Sequence, residues 1–272
     1  MERLKCFEEY LIQQEKSSVT VEKYLRDVRA FLWFTQGQPI DKALVLAYKE
    51  SIIHAYAPVS VNSMLASVNC FLRFAKLEHC CVKSLKIQKQ LFADESRELT
   101  RQEYSKLVRA AGNSQLSYIL QTICGTGIRI SELRFITVES VNKGRACVSS
   151  KGKNRIIFLS QPLCQMLKRY MKSNGIKTGS IFVTKNGTPL DRSNIWKAMK
   201  ALCSRAGVSE KKVYPHNLRH LFAKTFYETE KDLLRLADLL GHSSINTTRI
   251  YTVESGDSHM RLLTRVSRLL TT

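Results

Sequence analysis

The chain has 272 residues, 44% of them hydrophobic, enough for one large core or two modest ones and against wholesale disorder. Lys and Arg number 43 against 23 Asp and Glu, a formal charge of +20, so the expected partner is a polyanion, nucleic acid first and an anionic membrane surface second. A run of about 18 uncharged apolar residues is missing and MERLKCFEEY has no signal-peptide apolar core, which argues against a spanning or secreted protein.

In chain order, residues 2–14 are predicted as a helix, with Leu4, Phe7, Leu11 and Ile12 on its apolar face. Ser17 or Ser18 caps a second helix carrying Val21, Tyr24, Leu25, Val28, Phe31 and Leu32. Helices at about 41–55 and 59–77, the latter opened by Pro58 and Ser60, complete a four-helix module. Residues 83–98 lose that periodicity and read as a linker. The expected organisation is a helical domain over 1–88, a linker over 89–97 and a second domain over 98–272. Charge follows this division: residues 1–95 carry 13 basic and 11 acidic side chains, and 96–272 carry 30 and 12. The second part is therefore the main candidate for gripping phosphates.

Thr100 and Glu103 form a capping box at the start of a helix reaching about 111. A helix over 114–124 is stopped by Gly125 and Gly127, and ISELRFI after Arg129 predicts a short helix. Val141–Val148 and Arg155–Leu159 predict two strands joined through SSKGKN, with a further short strand at Ile181–Val183. Helices are expected at about 161–173, 191–206, 217–229, 231–240 and 244–251. The second domain is thus mostly helical with a small antiparallel sheet. The tail HMRLLTRVSRLL interleaves Met260, Leu262, Leu263 and Val266 with Arg261, Arg265 and Arg268, an amphipathic helix suited to packing on its own domain or on a neighbouring subunit.

The eight cysteines, Cys6, Cys70, Cys80, Cys81, Cys124, Cys147, Cys164 and Cys203, form no CxxC pair and are expected as buried free thiols in a reducing compartment. Candidate chemistry gathers elsewhere. Arg129 follows two glycines at a helix junction, from which a guanidinium can project onto phosphate oxygens or pair with Glu132. Lys151 and Lys153 lie on a hairpin tip, and Arg155 fits a backbone contact or a sheet-edge charge equally well. His216 and Arg219 share a helical face after Pro215. His216 and His220 have zinc-like spacing, but Asn217 stands where a zinc-hydrolase helix needs glutamate, so neither metal nor cofactor is expected and His220 reads as a packing residue. His242 follows Gly241, and Tyr251 comes nine residues later. A free tyrosine, with a pKa near 10, is a poor nucleophile unless neighbouring cations favour the phenolate.

GTGIRISEL (125–133), SKGKNR (150–155), HNLRH (216–220) and LGHSSINTTRIY (240–251) together resemble the tyrosine recombinases of the phage-integrase and Xer class, over essentially the whole chain. The resemblance implies a mainly α fold: a four-helix, SAM-like core-binding domain plus an α+β catalytic domain with a small antiparallel sheet. It implies a site-specific recombinase that cleaves and rejoins DNA through a 3′-phosphotyrosyl intermediate and a Holliday junction, without metal or ATP. It further implies Arg129 and Arg219 on the scissile phosphate, His242 holding transition-state charge and His216 accepting a proton or contacting phosphate. Lys151 becomes the general acid and Tyr251 the nucleophile, with Glu132 orienting basic residues. The implied partners are double-stranded DNA with inverted-repeat-like core sites, three further copies in a tetrameric synapse joined through the C-terminal helix, and an accessory DNA-bending or directionality protein. No membrane is implied; the implied location is a prokaryotic cytoplasm, at the nucleoid. The chain begins almost at the core-binding domain, an Xer-like architecture without an arm-site domain. Ser150 stands where the family usually has Gly and the hairpin is one residue shorter, so Lys153 rivals Lys151; Phe158 takes a usual proline position. The alternatives are a type IB topoisomerase-like relaxing enzyme and a catalytically silent DNA-binding protein.

Overall fold

The computed structural model describes residues 2–87, 95–150, 153–184, 186–242 and 244–251, with Thr264 and Ser267. Backbone packing divides the chain into two units, Met1–Gln90 and Leu91–Thr272.

The first unit is four helices, α1 (Glu2–Gln13), α2 (Ser18–Thr35), α3 (Lys42–Ala55) and α4 (Pro58–Phe74). Local chemistry starts each of the last three. Ser17 accepts from the Thr20 amide, Asp41 accepts from the Leu44 amide, and Pro58 occupies the first turn of α4, where no amide donor is needed. Phe7, Leu11, Val28, Phe31, Val61, Leu65, Val68 and Leu72 are fully buried between them. Ile12, expected on the apolar face, is instead 59% exposed, because it lies about 100° round the helix from Leu11. A polar clip adds direction to this core: the buried Asp27 on α2 accepts from Lys23 (2.7 Å) and from Ser67 of α4 (2.9 Å).

The second unit contains α5 (Arg101–Ala111), α6 (Gln115–Thr126), α7 (Val138–Lys143), strands β1 (Arg145–Ser150) and β2 (Lys153–Phe158), α8 (Gln161–Ser173), α9 (Arg192–Ala206), α10 (Pro215–Glu230), α11 (Leu233–Leu240) and α12 (Ile245–Thr248). The strands pair antiparallel from Arg145 opposite Phe158 to Ser150 opposite Lys153. The Thr100–Glu103 capping box opens α5 as predicted. A mostly helical unit with a small antiparallel sheet is what the sequence predicts.

Three local expectations are corrected. Val141 does not begin a strand: Thr137 and Ser140 cap one another (3.1 and 2.8 Å) and open the short helix α7, and Gly144 in the left-handed region closes it and delays the strand to Arg145. Gly125 does not stop α6, which runs to Thr126 and is capped by Gly127 at φ +65°. ISELRFI does form the short helix expected, of 3₁₀ type over Ile130–Phe135, and Tyr251 lies in another 3₁₀ helix, Arg249–Tyr251, that follows α12. Ile181–Val183 forms no strand: among the described residues Val183 makes an isolated bridge with Pro189, and Ser180 just before the segment makes one with Thr137. The cysteine expectation is also revised. All eight are free, but Cys6 and Cys147 are exposed; on β1, Ala146 and Val148 face the core and the alternation turns Cys147 outward.

Gly127 is a position at which the backbone has no room for a side chain. A Cβ there would stand 2.5 Å from the Phe222 ring and 2.9 Å from Leu240, at a positive φ. Gly127→Ala is expected to destabilise the second unit by about 2–4 kcal/mol, the sum of a left-handed alanine and an overpacked contact. Urea denaturation followed by far-ultraviolet circular dichroism measures this.

Candidate active site

The site is built around Arg219. Although charged, it is 2% exposed, on a helix that buries Leu218, Leu221 and Ala223 beside it. Its guanidinium donates to the carbonyls of Gly127 and Leu240 (2.8 Å for the latter) and to Nε2 of His242 (2.9 Å). The carbonyl of Gly127 is available because the glycine caps α6, and that of Leu240 because α11 ends there. Burial, then the charge of Arg129, pulls the Arg219 pKa down to about 10, partly offset by interaction with the Tyr251 hydroxyl; it stays cationic at neutral pH.

Arg129 sits two residues beyond that glycine. Glu132, itself 2% exposed, accepts the Arg129 amide (2.8 Å) and one guanidinium nitrogen (3.2 Å). The Arg129 side chain remains 42% exposed, so pairing with Glu132 and presenting a free edge to a phosphate are compatible. Glu132 also takes Arg155, whose second terminal nitrogen donates to the carbonyl of Leu239 (2.9 Å). Arg155 is thus held inside the protein by Glu132 and Leu239, an arrangement that its place beside the hairpin does not disclose.

His242 has a defined tautomer. Arginine has no acceptor, so His242 Nε2 carries the lone pair and Nδ1 carries the proton, donating to Oγ1 of the buried Thr248 (2.8 Å). Thr248 is a site residue that sequence reasoning missed; nothing in NTTRIY separates it from its polar neighbours. Tyr251 is 7% exposed and packs with Ala223, Leu236 and Leu240. Its ring lies edge-on to His220 (centroids 4.7 Å) and parallel to His242 (6.1 Å). His220 thus packs as expected, 5.8 Å from the His216 ring. Arg129, His216, Arg219, His242 and Tyr251 therefore share one neighbourhood. Lys151 lies outside the described residues, and Lys153 is described only in its backbone, opposite Ser150. Among the described residues no three His, Cys, Asp or Glu side chains come together as metal ligands.

The chain matches the family described as "Phage integrase family" over residues 97–256 and "Phage integrase, N-terminal SAM-like domain" over 4–79. It belongs to the phage integrase family of tyrosine recombinases. Tyrosine recombinase XerD of Staphylococcus haemolyticus is 32% identical, covering 90% of this chain and 92% of its own. Tyrosine recombinase XerA of Pyrococcus horikoshii is 28% identical over 99% of this chain and 94% of its own. Among solved structures, a XerA recombinase is 25% identical with a TM-score of 0.54, covering 98% of each chain. A lambda integrase (75–356) dimer bound to a COC′ core site has the same fold, with a TM-score of 0.75 at 19% identity over 94% of this chain and 95% of that one. The recombinase is therefore an enzyme that cleaves and rejoins DNA strands. No helix among its described residues is long and apolar enough to cross a membrane.

The histidines give the site an acid limit. Burial first, then Arg219 and Arg129, holds His242 at about 4; burial and His216 hold His220 at about 4, and His216 is also lowered. The folded chain resists protons that the unfolded chain accepts near 6.5, so stability is full above that pH and is lost as pH falls through about 4. Melting temperature recorded from neutral pH downward is expected to fall across this window, and less so in His220→Phe.

Proposed function

We propose that this recombinase is site-specific and exchanges strands between paired DNA sites. Tyr251 is the nucleophile, Arg129 and Arg219 hold the non-bridging oxygens of the scissile phosphate, and His242 shares the charge that develops there. His216 contacts phosphate or takes the tyrosine proton, and Lys151 protonates the 5′-oxygen that leaves. The observation that carries this reading is the seating of Tyr251 between the His220 and His242 rings, with the buried Arg219 donating to that same His242. A low-dielectric cation there stabilises both a phenolate and a pentavalent phosphate, and needs no reorganisation when attack begins. His242, neutral and accepting from Arg219, must change hydrogen-bond partners to donate to a phosphate; an anion drawn into the cleft favours its protonated form. The product is a 3′-phosphotyrosyl link that conserves the energy needed for rejoining.

In this reading residues 1–88 form the core-binding domain, 89–97 the connecting strap and 98–272 the catalytic domain. The exposed side of α2 bears Arg26, Arg29 and Trp33, a cationic and aromatic face suited to duplex DNA. The partners are inverted-repeat-like core sites, an accessory DNA-bending or directionality protein, and three more copies joined through the C-terminal helix into a tetramer that passes through a Holliday junction, in a prokaryotic cytoplasm at the nucleoid. That helix, apart from Thr264 and Ser267, lies outside the described residues. The lambda integrase tetramer of similar fold is bound to a Holliday junction, which supports the same assembly here.

Plasmids carrying two copies of the DNA segment that the protein protects separate this reading from its rival. Strand exchange is expected to yield recombined circles and trapped four-way junctions. Supercoil relaxation without exchange would favour the topoisomerase-like alternative.

A further inference from the structure

We propose that Arg155 is a positioning residue for the reaction, one that aligns Arg129 and His242 on the phosphate-holding side of the site; this rests on the roles given to those two residues above. Arg155 is 14% exposed and its partner Glu132 3% exposed, so the pair lies behind the residues that would face DNA. Its two terminal nitrogens reach different parts of the site. One is bound to Glu132 Oε2, the same oxygen that accepts the Arg129 amide, while Oε1 holds the Arg129 guanidinium. The other donates to the Leu239 carbonyl, next to the Leu240 carbonyl taken by Arg219. Two consecutive carbonyls at the end of α11 are thus pinned by two arginines, a favourable placement of cations at a helix C-terminus, and only Gly241 separates them from His242.

Gly241 records how close this approach is: a Cβ there would lie 2.5 Å from Arg155 Cδ. A buried ion pair is weak evidence for stability, since apolar groups of equal volume often serve as well. What a forked guanidinium supplies is direction, because it bonds two acceptors at a fixed angle. Lysine keeps the charge but donates from a single nitrogen, so it does not reproduce the fixed fork between Glu132 and Leu239.

The test uses full-length protein and a nicked core-site duplex in which one non-bridging oxygen of the scissile phosphate is replaced by methyl, so that one negative charge fewer has to be held. Arg155→Leu and Arg155→Lys are compared with the unsubstituted protein at saturating enzyme, with Arg129→Ala as control. On natural phosphate the Arg155 variants are expected to bind DNA normally and to cleave about a hundredfold slower, the cost of misplacing reacting groups by about an ångström. On the methyl substrate their deficit should shrink to about threefold or less, as the control's should, because one of the two negative charges that the arginines hold in the transition state is gone. An equal deficit on both substrates, with the Arg129→Ala deficit relieved, would overturn the proposal alone. An Arg129→Ala deficit that persists on the methyl substrate would instead overturn the phosphate-holding role on which it rests. Should Arg155→Leu not fold, the same comparison with Arg155→Lys decides.

Discussion

Tyr251→Phe is expected to abolish strand cleavage, by at least about 10⁴-fold, while leaving the protein folded and bound to DNA. The size follows from chemistry: without the phenolic oxygen no covalent link to phosphate can form, and water in its place is neither positioned nor activated. The small effect on stability follows from packing. Phenylalanine keeps the ring that contacts Ala223, Leu236 and Leu240 and that stands edge-on to His220, and only the interaction with Arg219 is lost. That loss should change folding stability by no more than about 1 kcal/mol. Denaturing electrophoresis of labelled duplex reads the first quantity, and mobility shift with thermal unfolding reads the second. Residual adduct in the variant would move the nucleophile elsewhere.

Arg219→Ala should fail in both respects. Its guanidinium satisfies the carbonyls of Gly127 and Leu240 and the ring of His242, all in a buried site. Removing it leaves these acceptors without a donor, which destabilises the second unit by about 3 kcal/mol or more. Cleavage by whatever remains folded should fall at least about a thousandfold, since a preorganised charge is lost where the phosphate becomes most negative. Arg129→Ala makes the useful contrast. Arg129 is 42% exposed and bound chiefly to Glu132, so its loss should reduce cleavage with a much smaller effect on folding. Chemical denaturation and single-turnover cleavage on a nicked duplex separate the two arginines.

Much of this arrangement is legible in the sequence because its signals are local. The Thr100–Glu103 capping box, Pro215 at the start of α10, the His216–Arg219 spacing and the helical periodicity of residues 18–74 all act within a few residues of each other. The similarity in ordered motifs extended this to a site, grouping Arg129, His216, Arg219, His242 and Tyr251, and the fold brings those five together. What was not legible depends on distant partners. That Arg155 is drawn into buried contacts is decided by Glu132 and Leu239, which lie 23 and 84 residues away. Thr248 matters only because His242 turns its Nδ1 toward it. Val141 reads as a strand residue by type, yet the Thr137–Ser140 cap, built from two small hydroxyls, commits it to a helix. Cys147 reads as a core thiol, yet strand alternation turns it outward between two buried neighbours.

The central claim is that the Tyr251 oxygen becomes bonded to a DNA 3′-phosphate. The most direct measurement is to trap the protein on a nicked duplex, digest it with protease and sequence the DNA-linked peptide by mass spectrometry. A single peptide is expected, modified at Tyr251 and joined to the 3′ end of the cleaved strand. A link to the 5′ end, or to any other residue, would contradict the claim.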